Sequence, residues 1–431
     1  MRTLACVVVL ALLLQPAAPA PQKFALSADD ERFLDDLEQR AFLYFWEQVD
    51  PKIGIVRDRA RTSGEPPDAE HRDIGSIAST GFGLTALCIA AERGWESRQE
   101  LVARAQATLR TFDRDVEPVH GWFYHWLNIH TRAREWKSEV SSIDTALLLG
   151  GVLTVRQCFK EDPEIVRLAD SIYGRVDFRW MLNGHPSLLS HGWHPETGFI
   201  PHRWDAFSEA MMLYVLGLGS PKAPLPSESW RAWQRPQFTY DGYTYVHTVP
   251  PLFLHQYSHA WIDFRRWRDP VPPQPDWFAN SVAATRAQKA FLLSLSKEFP
   301  GYTENVWGLT ASDSRNGYLA WGGPPRDPNT DGTVVPCAPA GSLMFTPDIT
   351  LPALREMQRR FGERIYGRYG FADAFHPTSG WVNPDVIGID VGITLLSAEN
   401  LRTGNVWRWF MANGPIIRGL QRAGMTRTST P

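Results

Sequence analysis

The chain has 431 residues, 43% of them hydrophobic and 21% charged, with a formal net charge of −3. That balance suits a globular protein with a large core and excludes a disordered or fibrous chain. A slightly acidic total gives no electrostatic footprint for nucleic acid or a membrane surface, so neither is expected as a partner.

The N-terminus reads Arg2, an apolar run from Leu4 to Leu14, then small residues up to Ala20. This is a secretory signal peptide over 1–20, too short to span a membrane, with Ala18, Pro19, Ala20 as its cleavage region. It predicts a periplasmic or extracellular protein. The cysteines left beyond it are Cys88, Cys158 and Cys337. Cys88 and Cys158 stand in apolar helical contexts and read as buried small hydrophobes, and the spacing of the three matches no metal pattern. No metal, cofactor or essential disulfide is expected. No linker divides 27–423, which reads as one domain and as a monomer, followed by a frayed tail over 424–431.

A capping-box-like start at Ser27 to Asp30 and apolar residues at helical spacing (Phe33, Leu34, Leu37, Ala41, Phe45) predict a first outer helix. Residues 54–73 are polar and loop-like, and Asp58, Arg59, Glu70, His71 and Arg72 could edge a cleft. A buried helix from Thr80 and a charged one over 97–112 form a hairpin around the stop signal Arg93, Gly94. His120 to Trp126 alternates aromatic and polar groups, as an extended edge does, and leads to Glu139. Asp144 then opens a helix that is apolar nearly all round (Ala146, Leu147, Leu148, Leu149, Val152, Leu153), with 164–177 as its outer partner. Taken alone, Asp144 reads as an N-cap.

A second aromatic approach, with Trp193, His202, Trp204 and Asp205, runs into Glu209 at the mouth of the next apolar helix. The long break over 220–251 reads as a wall of a groove. Helix is predicted again over 252–269, 277–297, 346–360 and 389–401, and 407–411 completes the set. His255 and His259 are four apart on one face, a metal-compatible spacing without the intervening Glu of a metalloprotease.

Thr80, Asp144 and Glu209 stand 64 and 65 residues apart, each at the mouth of an apolar helix, and Asp390 opens a later one. A period of about 65 residues accommodates an inner helix, an outer helix and two loops. Roughly six such units fill the chain, which predicts an all-α (α/α)6 toroid with its inner-helix N-termini gathered on one face. Acids from distant segments would then meet in one cleft. Eighteen Trp residues exceed what the core needs, and flat rings suit sugar faces, although about two thirds are expected to pack the interior.

Paired carboxylates suit glycosidic cleavage, in which one acid protonates the leaving oxygen and an ionised partner activates water or attacks the sugar. Glu139, Asp144, Asp205 and Glu209 form the candidate catalytic set, with Glu209 as acid and Glu139 or Asp144 on the base side. Trp122, Trp193, Trp204 and Trp307 are candidates for sugar stacking, and His125, His202, His259 and Asp313 for binding hydroxyls. There is no GxSxG elbow and no phosphate-binding GxxxxGK run. Two alternatives stand: a polysaccharide lyase on the same toroid, using Tyr124, His125, Tyr257 and His259, and a glycan-binding protein without catalysis.

The stretches SEVSSIDTALLLGG, GFIPHRWDAFSEAMMLYVLGLGSP, HQYSHAWIDFR, ENVWGLTASD and GWVNPDVIGIDVGITLLSAENLRTGNVWR together resemble the glycoamylase-like family that includes glycoside hydrolase family 144, the bacterial endo-β-1,2-glucanases. The resemblance runs in one order from about Phe33 to Trp409. It implies the (α/α)6 barrel, a signal-directed enzyme, and inverting hydrolysis of β-1,2-glucan to sophorose-type oligosaccharides. It places the family's acidic site at Glu139, Asp144 and Glu209, with Asp205 nearby.

Overall fold

The structure is a computed structural model that describes residues 24–428, so the signal peptide expected over 1–20 lies outside the described residues. It is helix-rich. The helices in chain order are α1 (Ala28–Glu47), α2 (Ile77–Arg93), α3 (Arg98–Arg110), α4 (Ser142–Cys158), α5 (Pro163–Gly174), α6 (Met211–Gly219) and α7 (Ser229–Ala232). They continue with α8 (Tyr257–Trp261), α9 (Trp277–Ser294), α10 (Cys337–Ala340), α11 (Pro347–Phe361), α12 (Gly388–Arg402), α13 (Asn405–Met411) and α14 (Gly414–Arg422).

Local chemistry sets the ends of the early helices. The Ser27 hydroxyl accepts from the Asp30 N–H while the Asp30 carboxylate accepts from the Ser27 N–H, closing the capping box that starts α1. Gly94 ends α2 in the left-handed region at φ 69°, where a Cβ would be strained. Helices α2, α4 and α6 are buried almost throughout, as their lack of a polar stripe requires.

These apolar helices neighbour one another in chain order. Helix α2 packs on α4, and α4 on α6. Ser258 of α8 accepts from Met212 N of α6 at 2.9 Å, and Gln256, just before α8, donates to the Ala338 carbonyl of α10 at 2.7 Å. Helix α10 packs on α12, and α12 returns to α2. Outside them, α1 packs on α12 and α2, α5 on α4, α11 on α10 and α14 on α6. Short strands lead into three of the inner helices at Ile74–Ser76, Val140–Ser141 and Asp385–Ile387. The last of these pairs antiparallel with Arg59–Arg61, so the two ends of the chain are laced together beside the helix mouths.

Glycine lets α2 and α4 approach to backbone contact. A Cβ on Gly151 would stand 2.1 Å from the Gly81 carbonyl oxygen, and one on Gly81 2.2 Å from that of Leu147. Backbone cannot yield as a side-chain tip does. Gly151→Val is therefore expected to destabilise the protein by about 3 kcal/mol, read as a fall in the urea midpoint.

Several expectations are corrected. Residues 220–251, expected as an irregular groove wall, hold α7 and a hairpin of Gln237–Tyr240 with Tyr243–Val246 that packs on α9. The region 252–269 is broken into a 3-10 turn, the five-residue α8 and a second 3-10 turn. The tail expected to fray includes Thr426–Arg427, which pairs with Trp267–Arg268, while 429–431 lie outside the described residues. Helix α13 contacts α2, α4, α8 and α12 together, so it closes one end of the helix set and does not extend it.

Candidate active site

Asp144 is the third residue of α4, and the cap is Ser141, which corrects the reading of Asp144 as the N-cap. The Asp144 N–H donates to Ser141 Oγ at 3.2 Å, and that hydroxyl donates to Asp144 Oδ2 at 2.5 Å. One carboxylate oxygen is thereby fixed, and Oδ1 is left 3.5 Å from His125 Nε2. The other ring nitrogen, Nδ1, lies 3.0 Å from Glu139 Oε1. Burial alone would lower the His125 pKa, but the charges of Asp144 and Glu139 outweigh it and raise it. Glu139 is held below its ordinary value, because the His125 contact overcomes the opposing effect of burial.

Ligand atoms of His125, Glu139 and Asp144 lie within 4.8 Å of one another, the one such group among the described residues that could hold a metal ion. The imidazole already bridges both carboxylates, so the group is satisfied as an ion cluster. His125 also stacks on Trp126 at 3.8 Å between ring centroids and 17° between planes.

Glu209 sits two residues before α6, and its carbonyl accepts from Ser258 Oγ at 2.6 Å, which pins the mouth of α6 to α8. Its carboxyl is pushed up to about 7. Burial is the main cause and the Asp144 charge adds to it, against a hydrogen bond from its own backbone N–H. Glu209, Asp144 and His125 line one cavity of about 320 Å³, together with Asp58, Arg59, Trp126, Trp136, Phe253, Tyr257 and Tyr318. Trp136 and Tyr318 are 42% and 54% exposed, although large aromatics of this chain are mostly buried. Both present ring surface to this one cavity. Arg59 is fixed at its rim by Asp58 at 3.2 Å and Asp313 at 2.8 Å.

The remaining expected site residues do not line this cavity. Trp122 is fully buried, donates to the Asp177 carbonyl and packs edge-on against Phe178. Trp307 is equally buried. Trp193 is half-buried against Trp180. Trp204 stacks on His191 and donates to Ser142 Oγ, bracing the α4 mouth from behind. Asp205 and His202 are exposed on the approach loop. Asp313 accepts from Arg59 and Asn383.

His259 is buried beside Ser281, Phe264 and Phe345, with a pKa lowered to about 3 by burial, so it is a neutral core group. His255 faces His247 and Asn280, so the two histidines share no metal site. Tyr124 lies under the Arg134 guanidinium and His259 is in the core, while His125 and Tyr257 of the lyase set both line the cavity. Asp390 stands behind Ile387 and Ile389, bonded to Asp373 and Cys337, and its carboxyl is raised by burial. Nothing in the sequence singles out Trp126, Trp136 or Tyr318, because an exposed aromatic beside a helix mouth is a signal that appears only once the fold places the loop.

The site is of the carboxylate type, with aromatic rings facing a cavity at helix mouths on a helix-rich scaffold. Residues 201–414, just under half of the chain, match the Glycoamylase family model, described as "Putative glucoamylase". It is 27% identical to an exo-β-1,2-glucooligosaccharide sophorohydrolase (non-reducing end) of Parabacteroides distasonis, over 91% of this chain and 58% of that protein. The chain thus spans little more than half the length of this curated relative. Among solved structures, the endo-β-1,2-glucanase of Chitinophaga pinensis, in complex with sophorotriose and glucose, matches with a TM-score of 0.85 and 26% identity, covering 93% of this chain and 99% of that one. The β-1,2-glucanase of Parabacteroides distasonis matches with a TM-score of 0.83 and 26% identity, covering 93% and 60%.

Proposed function

We propose that this protein is an exported, monomeric glycoside hydrolase that cleaves β-1,2-glucan, or a related β-glucan, with inversion and releases sophorose-type oligosaccharides. The observation that carries the reading is the pairing of Glu209, raised to about 7, with Asp144 across one aromatic-lined cavity. The names of the relatives support the linkage. The order of helix neighbours, with α12 returning to α2, supports a single domain closed as an (α/α)6 ring. The leader over 1–20 supports export.

In this mechanism the Glu209 carboxyl gives its proton to the glycosidic oxygen as the bond to the anomeric carbon breaks. A water attacks that carbon from the opposite face and loses its proton to Asp144, so the released hemiacetal has the inverted configuration. Glu139 acts through His125: it holds the imidazole in line with Asp144 and is a positioning residue. Trp126, Trp136 and Tyr318 offer flat faces to glucosyl rings.

Incubation of the purified protein with linear β-1,2-glucan, and in parallel with β-1,3- and β-1,4-glucans, tests the proposal. Short β-1,2-linked products are expected, with the anomer first formed opposite to that of the substrate by NMR. Products absorbing in the ultraviolet would establish a lyase in its place, and binding without any product would leave a glycan-binding protein.

A further inference from the structure

Cys88 and Cys158 are free thiols that the proposed chemistry does not use. Their positions follow from the glycine contact between α2 and α4. Gly81 of α2 meets the α4 backbone at Leu147, Leu148 and Gly151. Cys88 lies seven residues beyond Gly81, and Cys158 seven beyond Gly151. Seven residues are close to two full turns, so each cysteine falls on the same helix face as its glycine. Both glycines sit at helix faces that touch, and both helices start from the same end of the molecule. The two thiols therefore face each other two turns below the contact, close enough for Cys158 to push the Cys88 thiol up. Only helices this close bring two Cβ atoms within the roughly 4 Å that a disulfide needs.

We propose that Cys88 and Cys158 form a modification site, an oxidisable dithiol that closes a disulfide between α2 and α4. Cys88 is fully buried and Cys158 is half-buried at the end of α4, which sets the order of events. The oxidant is itself a disulfide, carried by a thiol–disulfide oxidoreductase or by oxidised glutathione. The Cys158 thiolate attacks one of its sulfurs, forming a mixed disulfide and expelling one thiolate. Cys88, whose thiol is pushed up by burial and then by the neighbouring sulfur, attacks only at close range. Its proton leaves with the second departing thiol, so two cysteines are oxidised and one oxidant disulfide is reduced to two thiols. The bond ties residues 70 apart and leaves Cys337, buried against Asp390, reduced.

The full chain is treated with oxidised glutathione and digested without reduction. The expected map contains a linked peptide pair joining Cys88 to Cys158, with an intact mass lower by about 2 Da. Tm should rise by roughly 5 °C and return on treatment with dithiothreitol. Cys337→Ser should behave as the parent, and Cys158→Ser should give neither the linked pair nor the shift. Recovery of Cys88 and Cys158 as free or glutathione-capped residues after prolonged oxidation, or linked only between molecules, overturns the proposal. The parent protein's peptide map decides this even if a substitution at Cys88 prevents folding.

Discussion

Glu209→Gln is expected to lower kcat on β-1,2-glucan by about three orders of magnitude, the scale of a lost general acid, without unfolding the protein. The reason lies in the proton. Glutamine has nearly the shape of a protonated glutamate, so the cavity wall and the contact with Ser258 persist while the transferable hydrogen is gone. A substrate whose leaving group needs little protonation, such as an aryl glycoside, should lose far less activity than the glucan.

The pH dependence gives a second signature of the same residue. Glu209 is active while protonated, so the basic limb of kcat against pH should fall near 7, where its carboxyl titrates. For stability the sign is opposite to that of an ordinary ion-paired acid. With its pKa raised from 4.5 to about 7, the folded state holds the proton where the unfolded chain has lost it. The stabilising contribution is complete below about 4.5 and is lost as pH rises through about 7. Glu209→Gln should flatten that part of the stability curve. An unchanged kcat on glucan, or a basic limb that stays in place, removes Glu209 from the proposed role.

Glu139, Asp144 and Glu209 stand out in the sequence because they lie at or just before helix mouths, and a helix mouth is a local event. An acid or hydroxyl before an apolar stretch is visible without any knowledge of what packs where. The capping box at Ser27 and the stop at Gly94 were read for the same reason. The aromatic residues were not, because Trp122 and Trp136 stand fourteen positions apart in equally mixed surroundings. Only the turn of the chain after Phe123 buries one and exposes the other. Helix α10 has four residues, too few to show a period, so the inner position it fills carries no helical signal in the sequence. His255 and His259 showed a spacing that one regular helix would make meaningful, but the chain passes there from a 3-10 turn into α8 and aims them at different neighbours.

Asp144→Asn should cost two to three orders of magnitude in kcat, roughly the worth of a positioned base, and should also move the pH profile. The cap survives the change, because the backbone N–H at 144 still donates to Ser141 and the asparagine oxygen can accept from that hydroxyl. What disappears is a charge felt by two neighbours. Asp144 raises the pKa of Glu209, so its neutralisation lets Glu209 titrate at lower pH and shifts the basic limb downward. Asp144 is also the main influence raising His125, so the imidazole loses its proton more readily and its hold on Glu139 weakens. A variant affecting only folding would lower the amount of active protein and leave the limb where it was. Kinetics across pH on folded Asp144→Asn protein therefore separate the two cases, and a limb that stays fixed, or moves upward, rules out the coupling between Asp144 and Glu209 on which the proposed division of labour rests.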